Sequence, residues 1–448
     1  MSIFFTMAMK KRIFLFFICI LLSCAPGPTA LKDINQPKKT APPPLGWNSY
    51  DCWFTSINET AILQNIDAFE KKLKPAGYEY FVLDDGWSYS GDIAAGAQGV
   101  YIDSFGRWLP DPAKFPGGLQ PYIDLAHSKG MKFGVWLIRG APLKTISQNM
   151  KIYGTDIAFS QVLDTSNKID PFLGQASWHG TCAFGGSNAG MQEYYNSEFE
   201  LLAKWQIDFV KYDYMTGSGP DMAAVTAARD RCGREMVISF SPSAGTNLQL
   251  YSVYEKADMV RIIEDVWDNR ASLEKAYSSW ELWQPYAHPG FWLDLDMIPF
   301  GTFPLYQRTD SFSVAQKKTF MAQRALAASP LIMGGSLPES DSISIALITD
   351  KDMLECNQNG ICGRLLYRTA QYDVWGTISS SDPTMGWVGV FNRNQIPVAV
   401  NLGIPEFGLD TNSTYQLYDI WEKKLLMQIP YSCTIESDGV IFIRYRRI

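Results

Sequence analysis

The segment Asp208-Phe209-Val210-Lys211-Tyr212-Asp213 is short, mainly apolar, and ends on a carboxylate. Such a segment predicts a buried strand, and seven others like it recur with longer helical patterns between them. The eight predicted strands lie at residues 46–50, 78–84, 132–138, 208–213, 236–241, 259–263, 291–296 and 330–334. Eight strands that alternate with helices predict an α/β fold closed into a (β/α)8 TIM barrel.

Helical patterns separate these strands. The predicted helices lie at residues 59–73, 119–128, 198–205, 222–231, 272–286 and 314–327, and the weakest helical pattern is at 247–256. Residues 139–207 separate the third strand from the fourth and exceed what a single crossover helix needs. An insertion of this length on the catalytic face of a barrel is expected to shape a pocket.

The pattern changes after about residue 350. Short alternating segments follow at residues 372–378, 387–392, 397–401, 415–419 and 439–445, with no long helix among them. This pattern predicts a C-terminal antiparallel β-sandwich. We therefore expect a barrel over residues 45–348 and a sandwich domain over residues 349–448.

The N-terminus carries a targeting signal. Basic residues at 10–12 precede an apolar run at 13–22 that is too short to span a bilayer, which predicts a signal peptide over residues 1–23. The run ends in Leu21-Leu22-Ser23-Cys24, which resembles the lipobox of bacterial lipoproteins. We expect export and lipid anchoring through Cys24 to the bacterial outer membrane, on its periplasmic or its surface face. The Pro-rich residues 24–44 are expected to form a tether.

Composition excludes several classes of partner. The net charge is −7 without a basic stripe, so nucleic acid is not an expected partner. The chain has three His residues and no metal-ligand cluster, and we expect neither a metal nor another cofactor. Cys356 and Cys362 form the easiest disulfide to envisage in an exported protein. Oligomeric state is left open by the sequence.

Carboxylates follow several predicted strands. The C-terminal ends of barrel strands are where TIM-barrel active sites form, although a single Asp there can also cap the next helix. A carboxylate-rich mouth without a His cluster favours glycoside hydrolysis, in which one carboxylate attacks or activates water and another protonates the leaving oxygen. Spacing alone leaves six candidates for these two roles: Asp84, Asp85, Asp213, Asp265, Asp294 and Asp296.

Five motifs carry a family resemblance. They are Gly46-Trp47-Asn48-Ser49-Tyr50, Leu83-Asp84-Asp85-Gly86-Trp87, Lys211-Tyr212-Asp213, Arg261 through Asp265 with Trp267 following, and Trp292-Leu293-Asp294-Leu295-Asp296-Met297. In this order they resemble the motifs of glycoside hydrolase family 27, which contains α-galactosidases and α-N-acetylgalactosaminidases. The resemblance extends from about Leu45 to the end of the chain.

The resemblance implies that Asp213 is the nucleophile and Asp265 the general acid/base. It also implies that Asp84 and Asp85 bind two sugar hydroxyls, and that Lys211 binds a hydroxyl and keeps Asp213 ionised. A nucleophile requires a lowered pKa and an acid a raised one. Lys211 and Asp213 lie two residues apart on one strand and so point to the same face. If the family resemblance is set aside, a structural ion pair explains them as well as a catalytic role does.

Further binding residues are implied around this centre. Trp47 and Trp136, at the ends of the first and third strands, are suited to packing on the sugar, although both are equally suited to the core. Arg261 and Asp296 match polar ligands near the leaving group and the sugar respectively. Asp294 matches no catalytic position and is expected to support the site.

The sequence departs from the family at two places. Phe240-Ser241-Pro242-Ser243 replaces the Cys-Glu-Trp motif that reads the galactose 2-position, and Met215 replaces a Cys that would pair with Cys182. We expect a retaining exo-hydrolase of terminal α-D-galactosyl residues on oligo- or polysaccharides. The alternatives are a β-L-arabinopyranosidase, an α-N-acetylgalactosaminidase, an isomalto-dextran hydrolase, or a catalytically inactive surface glycan-binding lipoprotein.

Overall fold

The computed structural model describes residues 41–89, 99–169, 180–186, 189–242 and 245–448. The predicted signal peptide, Cys24 and most of the predicted tether lie outside these residues, as does Ser243. No helix within the described ranges has the length and apolar character needed to cross a membrane.

Eight parallel strands form one sheet in chain order, with the last strand beside the first. They are β1 Leu45–Asn48, β2 Tyr80–Leu83, β3 Lys132–Ile138, β4 Phe209–Asp213, β5 Val237–Phe240, β6 Met259–Arg261, β7 Trp292–Asp294 and β8 Leu331–Met333. Just after β7, the Ile298 N–H donates to the Ile332 carbonyl at 2.8 Å, which links β7 to β8. The TIM barrel prediction is confirmed, and each predicted strand position contains a strand.

Side chains on one face of a strand lie at successive levels between the start and the mouth of the barrel. Phe209, Lys211 and Asp213 are two residues apart on β4 and therefore point to the same face of the sheet. Phe209 packs with Val82 and Trp292 in a buried apolar cluster near the strand starts. A side chain at Gly134 would meet Phe209 Cβ at 2.9 Å, so this glycine leaves room for the packing. The charged residues of β4 are thus carried to the barrel mouth above an apolar filling.

Helices surround the sheet close to their predicted positions. The main ones are Glu59–Lys72, Gln120–Ser128, Ala189–Lys204, Gly219–Arg231, Arg270–Trp283 and Val314–Leu326. Where the helical pattern is weakest, the structure has only a 3-10 turn, Leu248–Leu250, followed by the short helix Tyr251–Tyr254. Caps define several starts: the side chains of Asn58 and Ser313 accept hydrogen bonds from backbone N–H groups in the first helical turn.

The insertion between β3 and β4 forms a small antiparallel sheet. Its strands are Ala141–Pro142, Leu163–Lys168 and Thr181–Phe184, with the last of these in the centre. A second small element follows β7, where Thr302–Phe303 pairs with Arg308–Thr309 across the 3-10 turn Pro304–Tyr306. We call residues 302–309 the rim hairpin.

The C-terminal domain is antiparallel, as predicted. Six strands form one sheet in the order Arg364–Arg368, Asp373–Ile378, Met385–Phe391, Val440–Arg447, Tyr415–Asp419 and Lys424–Leu425. A second sheet pairs Val398–Leu402 with Tyr431–Ile435, and apolar residues from both sheets share one core. Two helices that the sequence did not predict, Ser342–Ile348 and Lys351–Gln358, precede this domain.

The barrel and the C-terminal sheet share packing and polar contacts. Trp280 stacks on Trp375 with ring centroids 3.9 Å apart, and both rings are fully buried in the main core cluster. Asp438 accepts hydrogen bonds from Arg270 at 2.9 Å and from Gln316 at 3.0 Å. The sheet is therefore joined to barrel helices by both apolar and charged groups.

The cysteines of the described residues are thiols. Cys52, Cys182, Cys232, Cys356, Cys362 and Cys433 are all free, so the pair that was easiest to envisage, Cys356 and Cys362, is not bonded. Cys356 is buried within helix Lys351–Gln358, whereas the Cys362 thiol lies beyond that helix and donates to the Gly363 carbonyl at 3.5 Å. The end of the helix separates the two side chains.

Candidate active site

A pocket lies at the C-terminal ends of the barrel strands. Its acidic lining residues are Asp51, Asp85, Asp213, Asp265 and Asp296. Its basic lining residues are Lys211 and Arg261, and its aromatic ones are Tyr50, Trp136, Tyr214 and Trp267. The structure thus brings together seven of the nine binding and catalytic residues predicted in the barrel, while Trp47 and Asp84 lie behind the lining.

Asp213 ends β4 inside the pocket. The Trp136 indole N–H, on the neighbouring strand β3, donates to its Oδ2 at 2.9 Å. Burial raises the pKa of Asp213 above its ordinary value, although the charges of Lys211 and Arg261 oppose this shift. The expected lowering of this pKa is therefore wrong: the Lys211 ammonium acts in the expected direction, but removal of the carboxylate from water outweighs it.

Lys211 forms its ion pair with Asp84 rather than with Asp213. Its Nζ lies 2.8 Å from Asp84 Oδ2, which also accepts from Asn48 Nδ2 at 2.5 Å. Asp84 is fully buried, and its Oδ1 accepts from the Asp85 N–H at 2.8 Å. Burial lowers the pKa of Lys211, but Asp84 and Asp213 outweigh that effect and hold the group as an ammonium. The Asp84–Asp85 turn is thereby fixed, and Asp85 is turned to the pocket.

On the opposite wall of the pocket, Arg261 bridges two carboxylates, those of Asp265 and Asp296. Its Nη2 lies 2.7 Å from Asp265 Oδ1, and its Nη1 lies 3.3 Å from Asp296 Oδ1. Asp296 Oδ2 also accepts from the Val266 N–H at 2.7 Å, which fixes the loop that carries Asp265. The Asp265 side chain is 65% exposed, whereas that of Arg261 is 7% exposed. One carboxylate therefore lies deep in the pocket at Asp213, and another stands at its rim at Asp265.

The aromatic residue next to β1 in the pocket is Tyr50, not Trp47. Trp47 is fully buried, stacks on Phe81 with centroids 4.6 Å apart, and donates from Nε1 to the Gly335 carbonyl at 2.8 Å. Tyr50 follows the end of β1 and lines the pocket, with Lys211 Nζ 5.5 Å from its ring centroid. Because β1 ends at Asn48, two residues before the predicted end of this strand, Tyr50 lies beyond the strand and lines the pocket.

Asp51 is a buried pocket carboxyl that sequence reasoning did not single out. Its Oδ2 has no hydrogen-bond partner among the described residues. Burial, and then the charge of Asp296, raise the pKa of Asp51 well above its ordinary value. A Cβ at Gly334 would come within 2.0 Å of this oxygen, so glycine is required there for close packing. Burial thus favours the protonated form of Asp51 beside the charged groups of the pocket.

Asp294 and Ser241 lie behind the lining. Asp294 Oδ1 accepts from the Asp296 N–H at 2.8 Å, and burial followed by the charge of Asp296 raises the pKa of Asp294 to about 7. Asp296 has a φ of +69°, an uncommon backbone conformation that this hydrogen bond helps to hold. Ser241 is buried, and its neighbour Pro242 lines the pocket instead. Of the described residues that replace the Cys-Glu-Trp motif, Pro242 is therefore the one that lines the pocket.

Comparison with known families identifies the group of proteins to which this architecture belongs. The Melibiase family model matches residues 36–256, and the Alpha galactosidase A family model matches residues 172–359. The chain belongs to glycoside hydrolase family 27. The family 27 resemblance inferred from five motifs is thereby confirmed, and the protein is a glycosidase whose ligand is a carbohydrate.

Individual relatives are distant but cover most of the chain. Alpha-galactosidase 2 of Arabidopsis thaliana is 25% identical over 87% of this chain and 84% of the relative. Alpha-N-acetylgalactosaminidase of Gallus gallus is 23% identical over 89% of this chain and 92% of the relative. A family 27 β-L-arabinopyranosidase from Geobacillus stearothermophilus has a solved structure that matches with a TM-score of 0.84 at 28% identity, covering 91% of this chain and 97% of that chain.

Proposed function

We propose that the protein is a retaining exo-glycosidase that releases terminal α-D-galactosyl residues from oligo- or polysaccharides by double displacement. The observation that carries the proposal is the pairing of a deep carboxylate, Asp213, with a rim carboxylate, Asp265, in one pocket. Asp213 is the nucleophile and Asp265 the general acid/base. Trp136 orients the first of these carboxylates, and Arg261 orients the second.

The reaction runs in two displacements at the anomeric carbon. An Asp213 oxygen forms a bond to that carbon while Asp265 transfers its proton to the departing glycosidic oxygen. The glycosyl–Asp213 ester is then attacked by water, which gives its proton to Asp265 as the ester bond breaks. Two inversions return the original configuration, and the two carboxyl groups are expected to lie about 5–5.5 Å apart in the substrate-bound site.

Sugar preference follows from the polar groups on the Asp84 side of the pocket. Asp85, Lys211, Tyr50 and Trp136 line the pocket. In the proposal, Asp85 and Lys211 bind sugar hydroxyls, and Tyr50 and Trp136 offer ring surface. Relatives with α-galactosidase names support the galactosyl preference. The β-L-arabinopyranosidase relative supports the strongest alternative, because that sugar is galactose without its hydroxymethyl carbon.

A panel of 4-nitrophenyl glycosides tests this function. The purified chain is expected to show its highest kcat/KM on the α-D-galactoside, above the β-L-arabinopyranoside and the α-N-acetylgalactosaminide, and NMR of the first product should show retained configuration. A higher kcat/KM on either other sugar contradicts the galactosyl preference, and an inverted first product contradicts double displacement. Binding of sugars without turnover of any glycoside would favour the inactive glycan-binding protein.

We further propose that the protein is exported and anchored to the outer membrane through lipidated Cys24. The Cys24→Ser variant is expected to move from the membrane fraction to the soluble fraction with unchanged turnover, because β1 begins only at Leu45. Fractionation followed by activity assays measures both properties. Cys19→Ser is the matched control and should remain with the membrane, and a Cys24→Ser variant that stays there as well would contradict the anchor.

A further inference from the structure

Trp267, two residues after Asp265 in the pocket lining, is in contact with a second aromatic ring, that of Tyr306. Trp267 lines the pocket and is partly buried, and Tyr306, on the rim hairpin, is 43% exposed. Their ring centroids are 6.2 Å apart and their planes are nearly perpendicular, at 89°. The two rings therefore form a corner that is partly open to solvent, and its Trp267 side belongs to the same pocket lining as the exposed Asp265.

The corner is fixed by an ion pair between the buried Asp268 and Arg308, whose side chain is 39% exposed. Both Arg308 terminal nitrogens bind the carboxylate of Asp268, at 2.7 and 2.8 Å, and Asp268 also accepts from the Ser311 hydroxyl and N–H. The Asp268 side chain is 4% exposed. Such a two-point Arg–carboxylate pair fixes geometry as well as adding energy. Since Asp268 follows Trp267 and Arg308 belongs to the rim hairpin, the pair holds the two ring-bearing segments together.

The rim hairpin is also stiffened from within and supported from the pocket side. The Arg308 guanidinium lies 4.7 Å from the ring centroid of Phe303 and 6.0 Å from that of Tyr306. The turn that carries Tyr306 contacts the short helix Tyr50–Trp53, which brings Tyr50 and Asp51 to the pocket. The corner is thus built on the same framework as the sugar-binding groups, and it is preorganised before any ligand arrives.

We propose that Trp267 and Tyr306 form a binding site for the leaving group, and that this leaving group is a pyranose ring. The inference rests on the proposed role of Asp265. A general acid must reach the oxygen that joins the two sugars, so the leaving ring lies beside Asp265. Trp267 is two residues further along the same loop, and the apolar face of a pyranose packs on an aromatic ring as other apolar surfaces do. The Tyr306 ring, perpendicular to that of Trp267, then bounds the leaving sugar at its edge.

Two substrates with the same terminal sugar test this site. One is a disaccharide with a pyranose leaving group, and the other is the glycosyl fluoride, whose leaving group has no ring. Trp267→Ala and Tyr306→Ala are each expected to lower kcat/KM on the disaccharide by roughly tenfold, which is the scale of one aromatic contact. On the fluoride the fall should be no more than about twofold. Trp267→Phe keeps a ring and should recover most of the disaccharide activity.

Leu305→Ala is the matched control, because Leu305 lies in the same turn as Tyr306 and is 39% exposed but has no ring. It should leave kcat/KM unchanged on both substrates. Equal losses on both substrates in the Trp267 and Tyr306 variants, or unchanged disaccharide hydrolysis, would overturn the leaving-group site while wild-type turnover still supports the proposed function. A wild-type enzyme that turns over neither substrate, with any terminal sugar of the panel, would overturn the function itself.

Discussion

Asp213→Gly is expected to lose turnover of every substrate, with kcat lower by roughly four orders of magnitude or more, as for other nucleophile deletions. The carboxylate that forms the covalent intermediate is gone, and neither Asp265 nor Asp85 can replace it at the base of the pocket. The space left beside Trp136 and Lys211 admits a small anion. Added azide should therefore restore turnover of an aryl glycoside and give a glycosyl azide of inverted configuration, which NMR identifies.

The fold should survive this change. The Asp213 carboxylate accepts a hydrogen bond from Trp136, and its removal leaves the Lys211–Asp84 pair in place. Asp208→Asn is a suitable control, because Asp208 precedes the same strand at the opposite end, where it pairs with His127 and Arg234. Near-wild-type turnover in Asp213→Gly, together with azide rescue of an inactive Asp294→Ala or Asp85→Ala variant, would show that the nucleophile is assigned to the wrong residue.

Asp265→Ala is expected to separate substrates by their leaving groups. Hydrolysis of a disaccharide should fall by roughly three orders of magnitude, because its leaving oxygen needs a proton, whereas an aryl glycoside with a good leaving group keeps part of its glycosylation rate. Azide added to this variant should attack the glycosyl–Asp213 ester and give an azide of retained configuration. The two Asp variants therefore yield opposite anomers of the same compound.

Glu264→Ala is the matched control for Asp265. Glu264 is the preceding residue, its side chain is 59% exposed, and it pairs with Lys275 away from Arg261. Its removal should leave both classes of substrate unaffected. If Asp265→Ala instead lowers turnover of aryl glycosides and disaccharides by the same factor, Asp265 does not act as the proton donor.

The fold was predictable from the sequence because strand positions depend on short apolar segments that recur at regular intervals. Helix boundaries were less predictable: Ala189–Lys204 begins nine residues before the predicted start at residue 198. Its buried face includes the polar Glu198, which accepts from the Tyr194 and Tyr212 hydroxyls. A buried carboxylate interrupts the apolar periodicity, so the sequence pattern understates the helix.

The candidate site was predictable as a set of residues but not in its burial or its charge balance. Motif order identified Asp213, Asp265 and their neighbours. It did not show that Asp51 lies beside them with an Oδ2 that lacks a hydrogen-bond partner among the described residues, because that depends on the close approach of Gly334. Nor did it give the direction of the Asp213 pKa shift, which is decided by the competition between desolvation and two cations. Tyr50 was missed for a local reason, the exact end of β1.

The shared core of barrel and C-terminal sheet has a consequence for engineering and for evolution. Cutting the chain before Arg364 would strip Trp375 from Trp280 and leave Arg270 without Asp438, exposing an aromatic face on the catalytic half. The barrel and the C-terminal domain should therefore unfold in a single calorimetric transition. Replacing either one with the corresponding domain of another enzyme should destabilise the protein. Substitutions in the C-terminal sheet are expected to change the temperature at which the barrel unfolds and activity is lost. A search for thermostable variants therefore has as much to gain in this sheet as around the pocket.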